Sequence, residues 1–202
     1  MIKLLDILRE NKILVPRRSP EERQKNYQII LQKKIQQYIK DGGEGNLDLS
    51  GTPLQSLPDN LEVGGSLELG NTLLQSLPDG LKVGGSLYLY STLIQSLPPG
   101  LKVGGNLSLR DTPLQSLPNG LKVEGYLDLE NCKNLKSLPN GLEVKRFLDL
   151  TNTPIQSLPD GLKVGEYLNL KNTPISKKYI SEKYTEDEIR KMIPGVKSQI
   201  FL

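Results

Sequence analysis

The chain of 202 residues contains no histidine, no tryptophan and a single cysteine, Cys132. Without histidine it lacks the commonest general base, any Ser-His-Asp or Cys-His arrangement and the commonest protein metal ligand. One cysteine cannot form a disulfide within the chain, so nothing in the sequence requires an oxidising compartment. We therefore expect a protein that is not an enzyme and that carries no cofactor or metal ion.

Long apolar runs are also missing, and aromatic residues make up only 5% of the chain. The first residues, MIKLLDILRENK, place Asp6, Arg9 and Glu10 where a secretory signal needs an unbroken apolar core. No segment approaches the length of a membrane-spanning helix. The sequence predicts a cytoplasmic protein with no membrane partner.

The formal net charge of +3 is divided unevenly along the chain. Residues 1–45 carry 10 Lys/Arg and 6 Asp/Glu, and residues 177–202 carry 6 and 4. The middle of the chain carries 10 Lys/Arg and 13 Asp/Glu. A nucleic-acid surface along this acidic middle is unlikely, because phosphate binding needs an excess of cations.

A phrase of 20 residues recurs through that acidic middle. Each copy contains a Leu-x-Leu pair, and the NCKNLKS segment adds one extra residue, so that Leu135 takes the place that Leu114 fills one coil earlier. Short strands with this alternation turn both leucines to one side, and identical strands at a fixed period stack in parallel. The seven pairs are Leu47/Leu49, Leu67/Leu69, Leu87/Leu89, Leu107/Leu109, Leu127/Leu129, Leu148/Leu150 and Leu168/Leu170.

Other recurring letters predict how each coil turns. Asn or Gly recurs at one position, which indicates a residue with positive φ. Proline recurs two residues earlier, so we expect an extended or irregular outer arc rather than a helix. The positions with Asn or Gly are Asn60, Gly80, Gly100, Gly120, Gly141 and Gly161.

This pattern resembles the leucine-rich repeat family, whose core reads LxxLxLxxNxL. In SLYLYSTLI, residues 86–94, Thr92 stands in the family's Asn position and Ile94 follows it. The resemblance implies an α/β solenoid of about seven coils with a parallel sheet on one face, and the SLP that follows is similar to short bacterial or phage repeats. It also implies that Thr at this position satisfies turn amides inside the coil and that Cys132, which shares the position, is a buried packing thiol.

The two ends predict caps on this array. Ser19 as N-cap, Pro20 at the first helical position and Glu22 in the first turn are typical of the start of a helix, and Thr185 with Glu188 three residues later predicts a capping box. The tail SQIFL restores the alternation and predicts a last strand at the sheet edge. The domains are therefore a helical N-terminal cap at 1–45, the solenoid at 46–176, and a helix-plus-strand C-terminal cap at 177–202.

The letters around the paired leucines vary from coil to coil, and they point out of the predicted sheet. We call this outward surface the strand face. Every aromatic residue between Leu47 and Leu170 lies on it, which predicts an exposed aromatic row suited to protein binding. Aromatic residues also stabilise sheets as cross-strand neighbours, which is the structural alternative. The candidate binding residues are Glu68, Tyr88, Tyr90, Arg110, Tyr126, Asp128, Phe147, Asp149, Tyr167 and Lys171.

The preferred hypothesis is a non-enzymatic recognition module that binds a protein through the strand face, as an inhibitor or adaptor. The resemblance adds that a phage or bacterial protein of this kind acts on a host factor or defence system. One alternative is nucleic-acid or anionic-surface binding through basic residues of the N-terminal cap; another is a structural part of an assembly. A monomer is expected, with a homo-oligomer as the alternative. The basic residues concerned are Arg17, Arg18, Arg23, Lys25, Lys33 and Lys34.

Overall fold

Leucines one period apart meet side by side and build a large parallel sheet. In the computed structural model, which describes residues 19–196 and 199–202, Leu47 pairs with Leu67 and Leu67 with Leu87 in parallel. Seven such strands enclose about six turns of a parallel β-solenoid, so the predicted stacking of 20-residue turns is confirmed. The strands are β1 (Leu47–Asp48), β3 (Leu67–Glu68), β5 (Leu87–Tyr88), β7 (Leu107–Ser108), β9 (Leu127–Asp128), β11 (Phe147–Asp149) and β13 (Tyr167–Asn169).

The outer arc is more regular than the prolines predict. Each coil contains a second strand of two residues, in which a Lys or Glu points out and a valine points in. These strands form two small sheets of three parallel strands each. The expectation of an extended rather than helical arc is confirmed, because the Lys-Val and Glu-Val pairs alternate with the strand period. The small sheets comprise β2 (Glu62–Val63), β4 (Lys82–Val83) and β6 (Lys102–Val103), and β8 (Lys122–Val123), β10 (Glu143–Val144) and β12 (Lys163–Val164).

The core is a column of aliphatic side chains between the large sheet and the small sheets. Both leucines of each pair are buried, and the valines of the small sheets face them from the other side. The extra residue after Cys132 does not disturb this column, because Leu135 is fully buried and its amide donates to the Cys132 carbonyl at 3.2 Å. Stability is thus distributed over coils that each contact their neighbours.

The threonines inside the coil act differently from the expectation. The Thr92 hydroxyl donates to the Leu89 carbonyl at 2.7 Å, and five further threonines repeat this bond, so the hydroxyl satisfies a carbonyl. Among these six, Thr173 alone also accepts from an amide, that of Ser176 at 3.1 Å. The residue before each threonine adopts positive φ, as in Ser91 at 54° and Asn71 at 57°. This left-handed position was not predicted; the one at Asn60 and Gly80 is confirmed.

Helix α1 (Pro20–Lys40) lies beside the first coil. Ser19 is the N-cap, as expected, and forms a capping box with Glu22; Leu31 and Ile35 are buried. Gln28 donates to the Pro53 carbonyl, and Lys34 Nζ donates to the Asp48 carbonyl at 2.5 Å. The helix therefore hydrogen-bonds to the open edge of β1. Residues 1–18 of the predicted N-terminal cap lie outside the described residues.

At the other end the chain forms two short helices and one strand. Helix α2 (Pro174–Ser181) begins before the predicted boundary at residue 177, because Thr173 closes the last coil and caps the helix at once. Helix α3 (Glu186–Met192) follows with the capping box of Thr185 and Glu188. Strand β14 (Ile200–Phe201) then pairs in parallel with β13 and becomes the eighth strand of the large sheet.

Candidate functional site

The strand face is arranged in three columns, because strands in register place equivalent residues side by side. The first column holds the residue before each leucine pair, the second the residue between the leucines, and the third the residue after them. Neighbouring strands lie about 4.8 Å apart. The second column runs Asp48, Glu68, Tyr88, Ser108, Asp128, Asp149, Asn169 and Phe201.

The first column changes character halfway along the sheet. In the early coils it is a polar ladder: Ser86 Oγ accepts from the Asn106 amide at 3.0 Å, and Asn106 Oδ1 accepts from the Tyr126 amide at 3.0 Å. From Tyr126 onward the column is aromatic, with Phe147 and Tyr167 following. The polar half satisfies backbone amides, whereas the aromatic half leaves side chains at the surface.

An aromatic cluster formed by Phe147, Tyr167 and Phe201 occupies the late end of the strand face. The Phe147 and Tyr167 rings stack with centroids 4.9 Å apart, and the Tyr167 and Phe201 centroids are 6.0 Å apart. The Arg146 guanidinium lies 4.8 Å from the Phe147 centroid. Phe201 was not among the predicted site residues, although the alternation of Ile200, Phe201 and Leu202 places it outward.

A second group, the tyrosine cluster, contains Tyr88, Tyr90 and Tyr126 and adjoins Glu68 through Tyr88. Tyr88 pairs with Glu68 in register, and the Tyr90 ring lies so close over Gly70 that a Cβ there would overlap it. Burial and a hydrogen bond with the Tyr88 side chain raise the pKa of Tyr126 to about 12. Ser108, an outward residue beside Tyr88 in the second column, is only 5% exposed.

The predicted exposed row is therefore two clusters, and most of its rings are half-buried. Tyr167 is 40% exposed, as is Phe201, whereas Tyr88, Tyr90, Tyr126 and Phe147 are half-buried. The expectation of uniform exposure is wrong because each ring lies against its neighbours across the sheet. The binding hypothesis and the structural alternative for these aromatic residues are thus both compatible with the geometry. The rings stabilise the sheet and still present edges and faces to solvent.

The second column's aspartates have a structural task. Asp128 Oδ1 accepts from the Glu130 amide at 3.0 Å, and Asp149 Oδ1 accepts from the Thr151 amide at 2.8 Å. The second oxygen of Asp128 accepts from the Ser108 hydroxyl at 3.2 Å. Burial raises the pKa of Asp128, and these hydrogen bonds oppose that rise. Asp128 and Asp149 close the ends of their strands, so a free catalytic carboxylate pair is not found there.

Outward charges of the strand face are predominantly negative. Arg110 contacts Glu130 at 2.7 Å and Asp111 at 3.3 Å, so its guanidinium is already paired. Lys171 lies with its Nζ 5.8 Å from the Phe201 centroid. In the three columns of the seven repeated strands these two cations stand beside five carboxylates: Asp48, Glu68, Asp128, Glu130 and Asp149.

The small sheets pair their outward charges with each other. Lys82 contacts Glu62 at 2.5 Å, and Glu143 receives both Lys163 at 2.5 Å and Lys122 at 3.2 Å. Hydrogen bonds from these two lysines lower the pKa of Glu143 to about 2. These outward charges therefore form a solvated face on which glutamates and lysines of neighbouring coils pair.

Four residues of the basic patch predicted on the N-terminal cap belong to the described part of the chain, and three of them are exposed. Arg17 and Arg18 lie outside the described residues. Lys34 is half-buried against the Asp48 carbonyl, and burial lowers its pKa. Arg23, Lys25 and Lys33 are exposed.

The one thiol has no catalytic surroundings. Cys132 is fully buried, its Sγ lies 3.2 Å from the Leu109 carbonyl and 3.6 Å from the Thr112 hydroxyl, and burial raises its pKa to about 11. It packs in the threonine position. Within residues 19–196 and 199–202, no three acidic or Cys side chains gather in a way that could hold a metal ion.

No protein-family model matches the chain, and no curated protein matches it. No helix of the described residues has the length and apolar character needed to cross a membrane. The class defined by the geometry is a parallel β-solenoid of repeated coils with an acidic, aromatic sheet face.

Proposed function

We propose that this protein is a non-enzymatic recognition module of the leucine-rich repeat type that binds a protein through its strand face. The 20-residue coils, inward leucine pairs and parallel large sheet support the leucine-rich repeat assignment. The small sheets on the outer arc and the threonine in place of the family's Asn distinguish it from the consensus. In line with the resemblance, the module acts as a bacterial or phage inhibitor or adaptor of a host factor.

One observation carries the proposal: outward glutamates are paired with lysines on the small sheets, whereas the strand face has an unpaired glutamate and exposed aromatic rings. On the small sheets Glu62 and Glu143 are paired with lysines. On the strand face Glu68 has no such partner among the described residues, and the rings of Tyr167 and Phe201 are 40% exposed. Exposed aromatics contribute contact area at low entropic cost, and unpaired charges contribute specificity.

The mechanism is occlusion or scaffolding by a rigid surface. The hydrogen-bonded ladder from Ser66 to Tyr126 fixes successive strands at the level of their first column. The aromatic cluster and the tyrosine cluster are thereby held on one sheet, where Tyr126 and Phe147 are neighbours in the first column. A partner that spans both clusters meets a surface that needs little ordering on binding.

Affinity capture with matched variants tests this function. The strand-face variant combines Tyr88→Ala, Tyr126→Ala, Phe147→Ala and Tyr167→Ala, and the outer-arc control combines Lys82→Ala, Lys102→Ala, Lys122→Ala and Lys163→Ala. After circular dichroism shows that both fold, nuclease-treated lysate of the source cells is passed over each. We expect a protein retained by the wild type and the control and lost from the strand-face variant. Equal retention by all three would contradict the proposal.

A further inference from the structure

The carboxylate of Glu68 stands on the strand face without a cation. No Lys or Arg of the described residues lies within ion-pair distance of it, and no hydrogen bond to its side chain is formed within that part of the chain. Its pKa is raised, first by burial and then by the neighbouring Asp48. Outward positions of β1, β3 and β5 carry no cation at all, although the chain as a whole has a net charge of +3.

Two tyrosines of the tyrosine cluster, Tyr88 and Tyr90, border this carboxylate. Tyr88 is its direct neighbour on β5, and Tyr90 lies over Gly70, two residues beyond Glu68 on the same coil. Tyr126, in the first column just before β9, is the more distant member of the cluster, because β9 lies three strands from β3. Gly70 is therefore a space-making residue, because any side chain there would displace the Tyr90 ring.

A carboxylate beside aromatic rings is the chemistry that recognises a lysine or arginine side chain. The carboxylate accepts charge-assisted hydrogen bonds, and the ring faces attract the cation through their quadrupoles. An anionic or apolar segment would leave Glu68 unpaired at the interface, which is costly.

Resting on the proposed function, we propose that the partner is a protein segment that inserts a lysine or arginine side chain beside Glu68, between Tyr88 and Tyr90. The negative charge of the strand face favours a cationic protein segment over a nucleic acid. The five carboxylates of this face would repel the phosphates of a nucleic acid. The paired Arg110 and the distant Lys171 do not compete for the position.

The test is an NMR titration of the full chain, with 13C-labelled tyrosine rings, against two matched peptides. One is Ac-GSRGRSG-NH2 and the other is Ac-GSEGESG-NH2. We expect the arginine peptide to shift the Tyr88 and Tyr90 ring signals in a saturable manner and the glutamate peptide to leave them unchanged. Glu68→Gln should weaken the arginine peptide at least about threefold, whereas Glu166→Gln, whose carboxylate pairs with Arg146 at 3.2 Å, should leave its affinity unchanged.

Equal shifts with both peptides, or an unchanged affinity in Glu68→Gln, would overturn the proposal. If the tyrosine ring signals shift with protein concentration in the absence of peptide, the strand face binds a second copy of the chain. That result would also overturn the proposal. The affinity capture separates this outcome from a failure of the proposed function. Suppose that the captured partner is lost from the four-aromatic variant but is still retained by Glu68→Lys. Binding through the strand face would then stand, and only the proposed lysine or arginine contact with Glu68 would be contradicted.

Discussion

The large sheet and the two small sheets are built from the same coils, yet they differ in what their outward side chains do. On the small sheets lysines and glutamates repeat in register and form ion pairs such as Lys82 with Glu62. On the large sheet the outward residues change from coil to coil, and Glu68 remains unpaired among the described residues. Repetition on one side and variation on the other are the contrast on which the proposed recognition role of the large sheet rests.

The largest expected effect comes from removing a core leucine from each side of one coil. Leu107 is fully buried in β7, and Leu101, next to β6, is 8% exposed. Leu107→Ala should lower the free energy of unfolding by about 3–5 kcal/mol and Leu101→Ala by about 2–3 kcal/mol. Urea denaturation followed by circular dichroism measures both. If Leu101→Ala lost more unfolding free energy than Leu107→Ala, the outer arc and not the large sheet would be the more tightly packed side of the coil.

Next in size is the polar ladder of the first column. Asn106→Ala removes the oxygen that accepts from the Tyr126 amide, so the unfolding free energy should fall by about 1 kcal/mol. Asn106→Asp keeps an oxygen in place and should retain most of that stability. If urea denaturation shows the same loss of unfolding free energy for both variants, the side-chain hydrogen bond of Asn106 does not stabilise the first column.

A smaller effect is expected for Glu143→Gln on the small sheets. The pKa of Glu143 is lowered from 4.5 to about 2 by Lys163 and Lys122, so its ionised form favours the folded state above pH 4.5. This contribution is lost as the pH falls from 4.5 toward 2. Glu143→Gln should therefore lower Tm slightly at pH 7, less in 1 M NaCl, and not at all at pH 2. A Tm loss that is independent of salt would argue against the ion pairs.

The smallest effect, Glu68→Gln, should have the opposite sign. Burial and Asp48 raise the pKa of Glu68 above 4.5, so its ionised form opposes folding once the pH exceeds that raised value. The groups that face it, Asp48, Tyr88 and Tyr126, supply no positive charge. Glu68→Gln should raise Tm slightly at pH 7, within about 0.5 kcal/mol, and leave it unchanged at pH 3. A lower Tm at pH 7 would mean that Glu68 has a stabilising partner.

Much of the architecture follows from the repeat, but details of the coil do not. The alternation of the leucine pairs predicts the large sheet, and Asn60 and Gly80 predict one left-handed turn. The Gly, Asn, Ser or Asp before each threonine marks a second such turn. The two-residue alternation of Lys102 and Val103 is too short to distinguish a strand from an extended arc until neighbouring coils lie beside it.

The sequence predicts which residues of the candidate site point outward, but it does not predict how their side chains contact one another. Tyr88 and Tyr126 point outward as expected, but their mutual contact depends on how rings on different strands lie across Ser108. Phe201 joined the site only because β14 pairs with β13 and brings a residue more than 30 positions away from Tyr167 into contact with it.

The sequence alone determined the period, the parallel stacking and which side chains face inward, because a repeated pattern must bury the same face in every coil. Tertiary structure alone decided which outward residues are free and which are engaged. Asp128 and Glu68 occupy the same column and carry the same charge, but Asp128 bonds to Ser108 and the Glu130 amide while Glu68 meets tyrosine rings. A side chain's availability depends on its neighbours across the sheet, and those neighbours are about 20 residues away in the chain.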